Sequence, residues 1–312
     1  RNLNFSRLTF ATGLEDYNNI FPLSIRLNEV YIDFLEVFSW LDIRVGQQRV
    51  SWGTANVFNP TDNINPHNLE NPLDFTQKLP VPAIKATIQL GESASLVLVG
   101  IPFVTPSVLP VRLFESVITA DFPIQPPDGS TLVTENRLNM PAYHAENTQA
   151  AAKLSWEMFE SDFSVSYMWG RIMIPTPYMA FLTDDLATLL KQERLNIVSF
   201  LKYPRTHIIG FDMKTSLSNI SEKLPGIGIS LEVGVFIPEQ VRLDLKFVDQ
   251  SAGPDFIKKA IESTLGKKLP DVVSVSSTPY PKITAGLEYT FPGGWFVNFQ
   301  YVYGFFNEVT AE

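Results

Sequence analysis

The sequence predicts an all-β fold, an antiparallel sheet of long amphipathic strands closed into a membrane-spanning barrel, and three observations lead there. Apolar and polar residues alternate with period two over repeated stretches, as strands with one apolar face require. These stretches run roughly nine or ten residues, longer than the usual five or six of soluble strands and matched to a tilted bilayer crossing. The third is composition: 45% of the 312 residues are hydrophobic and only 18% charged, with 23 Phe, 10 Tyr and 5 Trp. Mean hydropathy is close to neutral, at +0.05. That value arises when outward apolar positions alternate with inward polar ones.

The elements follow in order. Weaker alternation marks strands near 2–10 and 23–35. Leu41, Ile43 and Val45 then alternate with Asp42 and Arg44, and Ile84, Ala86, Ile88 and Leu90 with Lys85, Thr87 and Gln89. A weak strand near 94–101 precedes Ala150, Ala152, Leu154 and Trp156, and then Phe163, Val165, Tyr167 and Trp169. After another weak segment at 205–214 come Ile229, Leu231, Val233 and Val235. The last pair is Ile283 to Phe291 and, past the Pro292-Gly293-Gly294 turn, Trp295 to Tyr303. This makes about eleven candidate strands, within an expected barrel of about 12–16.

Two segments depart from period two. Leu186, Leu189, Leu190 and Glu193 follow helical spacing behind Asp184 and Asp185, which suit the positive end of the helix dipole. Phe256, Ile257, Ala260, Ile261 and Leu265 form a second apolar stripe between Pro254 and Gly266. Both are expected as short helices in long connections. The stretches 54–82 and 102–149 are expected as ordered loops anchored by Phe58, Leu69, Phe75, Leu113, Phe114 and Tyr143.

Composition excludes several classes. Abundant aromatics argue against disorder. The absence of cysteine removes disulfides, thiolate metal sites and haem attached by thioether links. A net charge of −9 argues against nucleic acid. The uncharged window from Ser93 to Val111 is long enough for a membrane helix, but Pro102, Pro106 and Pro110 interrupt it. Residue type then separates a barrel from a soluble sandwich. Trp156, Tyr167, Trp169, Tyr289, Trp295, Tyr301 and Tyr303 sit near strand ends, where a membrane barrel carries its interfacial aromatics. A soluble β-sandwich adhesin or carbohydrate binder remains the rival.

The segment Leu41-Asp-Ile-Arg-Val-Gly-Gln-Gln-Arg-Val-Ser-Trp-Gly-Thr-Ala-Asn-Val-Phe-Asn-Pro60, followed by Thr61-Asp-Asn-Ile-Asn-Pro66, resembles a signature of porin-like outer-membrane β-barrels of Gram-negative bacteria. The elements of that signature are Arg-x-Gly-x-Gln, Trp-Gly and Asn-Pro. The likeness continues into Lys78-Leu-Pro-Val-Pro82, and the hairpins around Gly286 to Trp295 and Asn298 to Phe305 are similar to late barrel hairpins. The resemblance implies one barrel domain over 1–312 in the outer membrane, with lipid around it. Such barrels usually end on a strand with a terminal aromatic, whereas this chain ends Asn307-Glu-Val-Thr-Ala-Glu312, so further C-terminal strands are expected. It also implies a porin or channel for diffusion or export of small solutes or a polymer. The alternative is a loop-plugged barrel serving as scaffold or sheath for lipoproteins or electron carriers in an envelope complex.

Pore-lining candidates are the charged residues on the polar register, Arg44, Arg49, Lys85, Lys153, Glu232, Lys282 and Glu288. Arg44 and Arg49 read first as struts paired with carboxylates such as Asp33 or Asp42, because a buried or lumenal charge needs a partner. Gly46 leaves room for a neighbour, Trp52 suits an interfacial position, and Asn59-Pro60 and Asn65-Pro66 form turns. No enzyme is expected. His67, His144 and His207 are far apart in sequence, Ser51 lacks a nucleophile elbow, and no phosphate loop, zinc motif or calcium loop occurs. No cofactor or metal is expected either.

Overall fold

A computed structural model describes residues 28–55, 57–69, 76–108, 131–142, 144–182, 194–220, 225–247 and 273–304. In chain order the strands are β1 (Val30–Phe38), β2 (Leu41–Gln48), β3 (Val81–Gln89), β4 (Ala94–Ile101), β5 (Thr131–Leu138), β6 (Gln149–Met158), β7 (Ser161–Arg171) and β8 (Thr176–Leu182). They continue as β9 (Arg194–Lys202), β10 (Arg205–Ser216), β11 (Gly228–Pro238), β12 (Val241–Arg242), β13 (Asp244–Phe247), β14 (Val273–Val275), β15 (Tyr280–Thr290) and β16 (Phe296–Tyr303). Ten of them form one antiparallel sheet in the order β1-β2-β3-β4-β6-β7-β10-β11-β15-β16.

Nine of these ten strands fall where alternation predicts one, and β1, at Val30–Phe38, is displaced toward the C-terminus from the expected 23–35; the candidate at 2–10 and the two expected helices lie outside the described residues. The fold is therefore all-β, and its large sheet is antiparallel. Closure is not seen: among the described residues β1 and β16 stay edges of a ten-stranded sheet, in place of a closed ring of 12–16. Alternation reports only that each strand has two unlike faces, and an open twisted sheet satisfies it as well as a ring does.

Register aligns one kind of residue across the whole sheet. Phe34, Ile43, Ala86, Leu98, Ala152, Tyr167, Ile209 and Val235 are successive cross-strand partners on one face. Much of this apolar face is open to solvent, including Phe34, Ile84, Leu98, Val165, Ile209, Leu287 and Phe299. The opposite face is covered and carries Gln48, Gln149, Ser164, Asp212, Glu232 and Thr284, all buried.

The two ends of the sheet also differ. At one end four connections are tight, Ser39 and Trp40, residues 90–93, Phe159 and Glu160, and 291–295, and a fifth, 217–227, starts with the short helix Leu217–Ile220. Phe159 and Glu160, each at φ 54, make a two-residue turn of the mirror-image type that matches strand twist. At the other end run the long connections 49–80, 102–148, 172–204 and 239–279.

The long connections are not plain loops. Three of them contribute strands to a four-stranded sheet in the order β13-β8-β9-β5, with β13 parallel to β8 and β5 parallel to β9. A second small sheet pairs β12 with β14, and Ile172, Val241 and Val275 bury a small core beside it. The stretch 102–149, expected as a loop, thus contains β5. Its alternation is weak because Glu135, Asn136 and Arg137 are consecutive polar residues.

Candidate functional site

The site is built by the 49–66 segment lying on the covered face. Val50, Trp52 and Ile64 pack with Val81, Ala83, Val99, Ile101, Ala151, Met168, Ile208 and Phe236 in one apolar cluster. Trp52 is only 6% exposed, so its expected interfacial position is corrected to the interior. Its strand ends at Gln48, and the chain after it turns inward instead of continuing along the apolar face.

The residues of the Arg-x-Gly-x-Gln, Trp-Gly and Asn-Pro motif hold this segment in place. Gln48 Nε2 donates to the Ala83 carbonyl at 2.9 Å. Asn65 Nδ2 donates to the Leu79 carbonyl at 2.8 Å while its Oδ1 accepts from Val50 N at 2.7 Å. Asn59 Nδ2 donates to the Trp52 carbonyl at 2.7 Å. Gly53 has φ +85, and a Cβ there would lie 2.1 Å from Asn59 Oδ1, so only glycine lets the asparagine close this turn. Gly234 on β11 receives the segment from the other side: a Cβ at that position would sit 2.7 Å from the Pro60 carbonyl oxygen.

Glu232, fully buried on β11, fastens the contact. One carboxylate oxygen accepts from the backbone N–H groups of Thr54 and Ala55, and the other lies 3.2 Å from the Thr61 hydroxyl. A carboxylate with two backbone donors and a hydroxyl has most of its lone pairs satisfied, the condition for keeping such a group away from water. Lys78 Nζ is 3.1 Å from Asp62 Oδ2 and also donates to the Asp62 carbonyl, which closes the far end of the segment.

The sequence-predicted charges divide clearly. Lys153 on β6 pairs with buried Asp212 on β10 at 3.2 Å, and Ser164 also donates to Asp212. Lys282 on β15 is buried over the Phe236 ring at 4.7 Å. Arg44 bridges Asp33 at 2.6 and 2.9 Å across β1 and β2 and lies 3.8 Å above the Tyr31 ring. Lys85 is its cross-strand neighbour on β3. Arg44 is therefore the expected strut, with Asp33 as partner, while Asp42 accepts from Glu36 N at 2.7 Å. Arg49 lies beyond β2, exposed, and pairs with Glu29 at 2.7 Å. Glu288 pairs with Lys214 at 2.9 Å.

The covered face thus changes along its length. Toward the long connections it is dry and apolar, in the middle it carries Lys153, Asp212, Glu232 and Lys282, and toward the tight turns it opens. There a hollow of about 410 Å³ is lined by Glu160, Asp162, Lys214, Ser216, Asn219 and Glu288 among others.

No protein-family model, curated protein or solved structure matches this chain.

The predicted aromatics lie on the apolar face or in its turns, at both ends. Trp156 stacks on Phe163 at 5.8 Å, Tyr289 meets Phe291 edge-on at 4.7 Å, and Trp295 is 77% exposed, all near the tight turns. Tyr167, Trp169, Tyr301 and Tyr303 lie toward the long connections. Asp212, Ser164, Thr61 and Asn65 are site residues that sequence reasoning missed. Asp212 was legible as a polar member of the alternating run around Phe211 and Met213, while Thr61 and Asn65 carry no local signal of what they touch.

Proposed function

We propose that the chain folds as an outer-membrane β-barrel whose lumen is constricted by the 49–66 segment, a restricted channel for small solutes. One observation carries this reading: the sheet exposes its apolar residues and turns most of its charged ones to the covered face, where Asp212, Glu232 and Lys282 are buried. The reverse arrangement is expected when water surrounds the sheet, and this one when lipid does. Two further features support it. β11 has 11 residues, about 36 Å at about 3.3 Å each, and a tilt of about 40° leaves about 28 Å, close to a hydrocarbon core. Tight turns at one end and long connections at the other match the periplasmic and extracellular ends of such barrels.

A sealed barrel acting as a scaffold for lipoproteins or electron carriers is the second reading, favoured by the dry cluster around Trp52 and Ile64. Planar-bilayer recording of the full chain separates the two. A constricted channel gives small or infrequent current steps, and Glu232→Gln, which weakens the acceptor for Thr54 and Ala55, makes them larger or more frequent. Silence from both proteins after verified insertion supports the scaffold. Full solubility without detergent overturns both.

A further inference from the structure

We propose that Arg171 and Arg205 form a binding site for the phosphate of a lipid headgroup at the long-connection end of the apolar face. The inference rests on the barrel reading and adds a ligand to it. Arg171 ends β7, Arg205 begins β10, and the two are direct cross-strand partners. Counting by two along each strand places them on the same face as Trp169, Tyr167, His207 and Ile209, the apolar one. Like charges directly opposite one another disfavour pairing unless an anion is shared.

The described residues supply no such anion. Among the described residues no carboxylate lies within 4.0 Å of either guanidinium, and the nearby Glu239 is held by Lys202 at 3.2 Å. Arg171 instead donates to the Tyr203 carbonyl at 2.6 Å and to Asn147 Oδ1 at 2.7 Å, and Arg205 donates to the Glu146 carbonyl. These neutral acceptors orient the two forks without neutralising them. Each keeps one shielded nitrogen, Arg171 Nε and Arg205 Nη1, with no acceptor among the described residues.

The surroundings fit a headgroup. Arg205 lies 4.4 Å from the Trp169 ring centroid, and the Tyr167 hydroxyl is 2.7 Å from His207 Nδ1 one row below. An aromatic belt with an amphipathic edge marks the depth at which phosphates of a bilayer lie. Guanidinium pairs match phosphate oxygens in geometry and charge, and basic clusters at that depth recognise anionic headgroups.

The test uses the full chain refolded in detergent, with insertion checked by heat-modifiable migration. Binding of dihexanoyl phosphatidic acid, dihexanoyl phosphatidylcholine and inorganic phosphate is counted by native mass spectrometry. The wild type is expected to bind phosphatidic acid at least about ten-fold more tightly than either other probe. Arg205→Gln and Arg171→Gln lose that preference, and Lys214→Gln, at the opposite end of the sheet where Lys214 pairs with Glu288, keeps it. If a glutamine variant fails to fold, Arg205→Lys serves: the charge stays, the fork goes, and binding falls several-fold. Unchanged binding in the folded arginine variants, or equal binding of inorganic phosphate, overturns the lipid site and leaves the barrel standing. A chain that stays soluble without detergent overturns both.

Discussion

Ile209 and Asp212 lie three residues apart on β10 and occupy opposite surroundings: the isoleucine is 51% exposed on the apolar face, the aspartate 4% exposed on the covered one. Water would favour the reverse. The apolar face is nearly uniform, aliphatic and aromatic along its length, with Arg171 and Arg205 at one end. The covered face is heterogeneous, running from a dry cluster through paired charges to an open hollow. The difference teaches that one face answers to a featureless surrounding medium and the other to particular partners. Substitutions should therefore be judged by different rules on the two sides.

The largest effect is expected where a buried partner is removed. Asp212→Ala leaves Lys153 without its carboxylate and Ser164 without its acceptor, and should destabilise the protein by about 3–5 kcal/mol in urea unfolding from lipid vesicles. Joining it to Lys153→Met should restore most of that loss; no restoration would mean that the two residues act independently.

On the apolar face, Val165→Lys tests the surrounding medium itself. In lipid a lysine near mid-depth costs about 2–4 kcal/mol, whereas on a water-exposed surface the change stays within about 0.5 kcal/mol. The smaller value would break the contrast between the faces. The smallest effect is expected at the hollow. Glu288→Gln removes the 2.9 Å bridge to Lys214, whose partners are 28% and 41% exposed, and stability should change by no more than about 1 kcal/mol. A larger loss would show that the hollow is less wet than its opening suggests.

Much of this contrast was legible in the sequence. Alternation located the strands of the large sheet and assigned Tyr167, Trp169, Tyr289, Tyr301 and Tyr303 to the apolar side, because side-chain direction in a strand depends only on parity. The same parity put Arg44, Lys85, Lys153, Glu232, Lys282 and Glu288 together on the other face. It failed for Arg49 and Trp52, which follow the end of β2, where parity no longer applies. It also passed over β5, where Glu135, Asn136 and Arg137 are consecutive polar residues, β8, which contains Pro177, and β9, where Ile197-Val198 and Phe200-Leu201 are consecutive apolar residues.

What the sequence by itself determined was therefore which residues share a face of the large sheet and roughly where its strands lie, since both are local consequences of an extended backbone. Only the tertiary structure decided that residues 49–66 fold onto β10 and β11. Glu232 meets Thr54 across 178 positions, and Gly234 yields space to Pro60. Neither partner carries a local mark of the other. The Trp-Gly and Asn-Pro residues shape the turn, but a carboxylate and a glycine on a distant strand give it a place to sit.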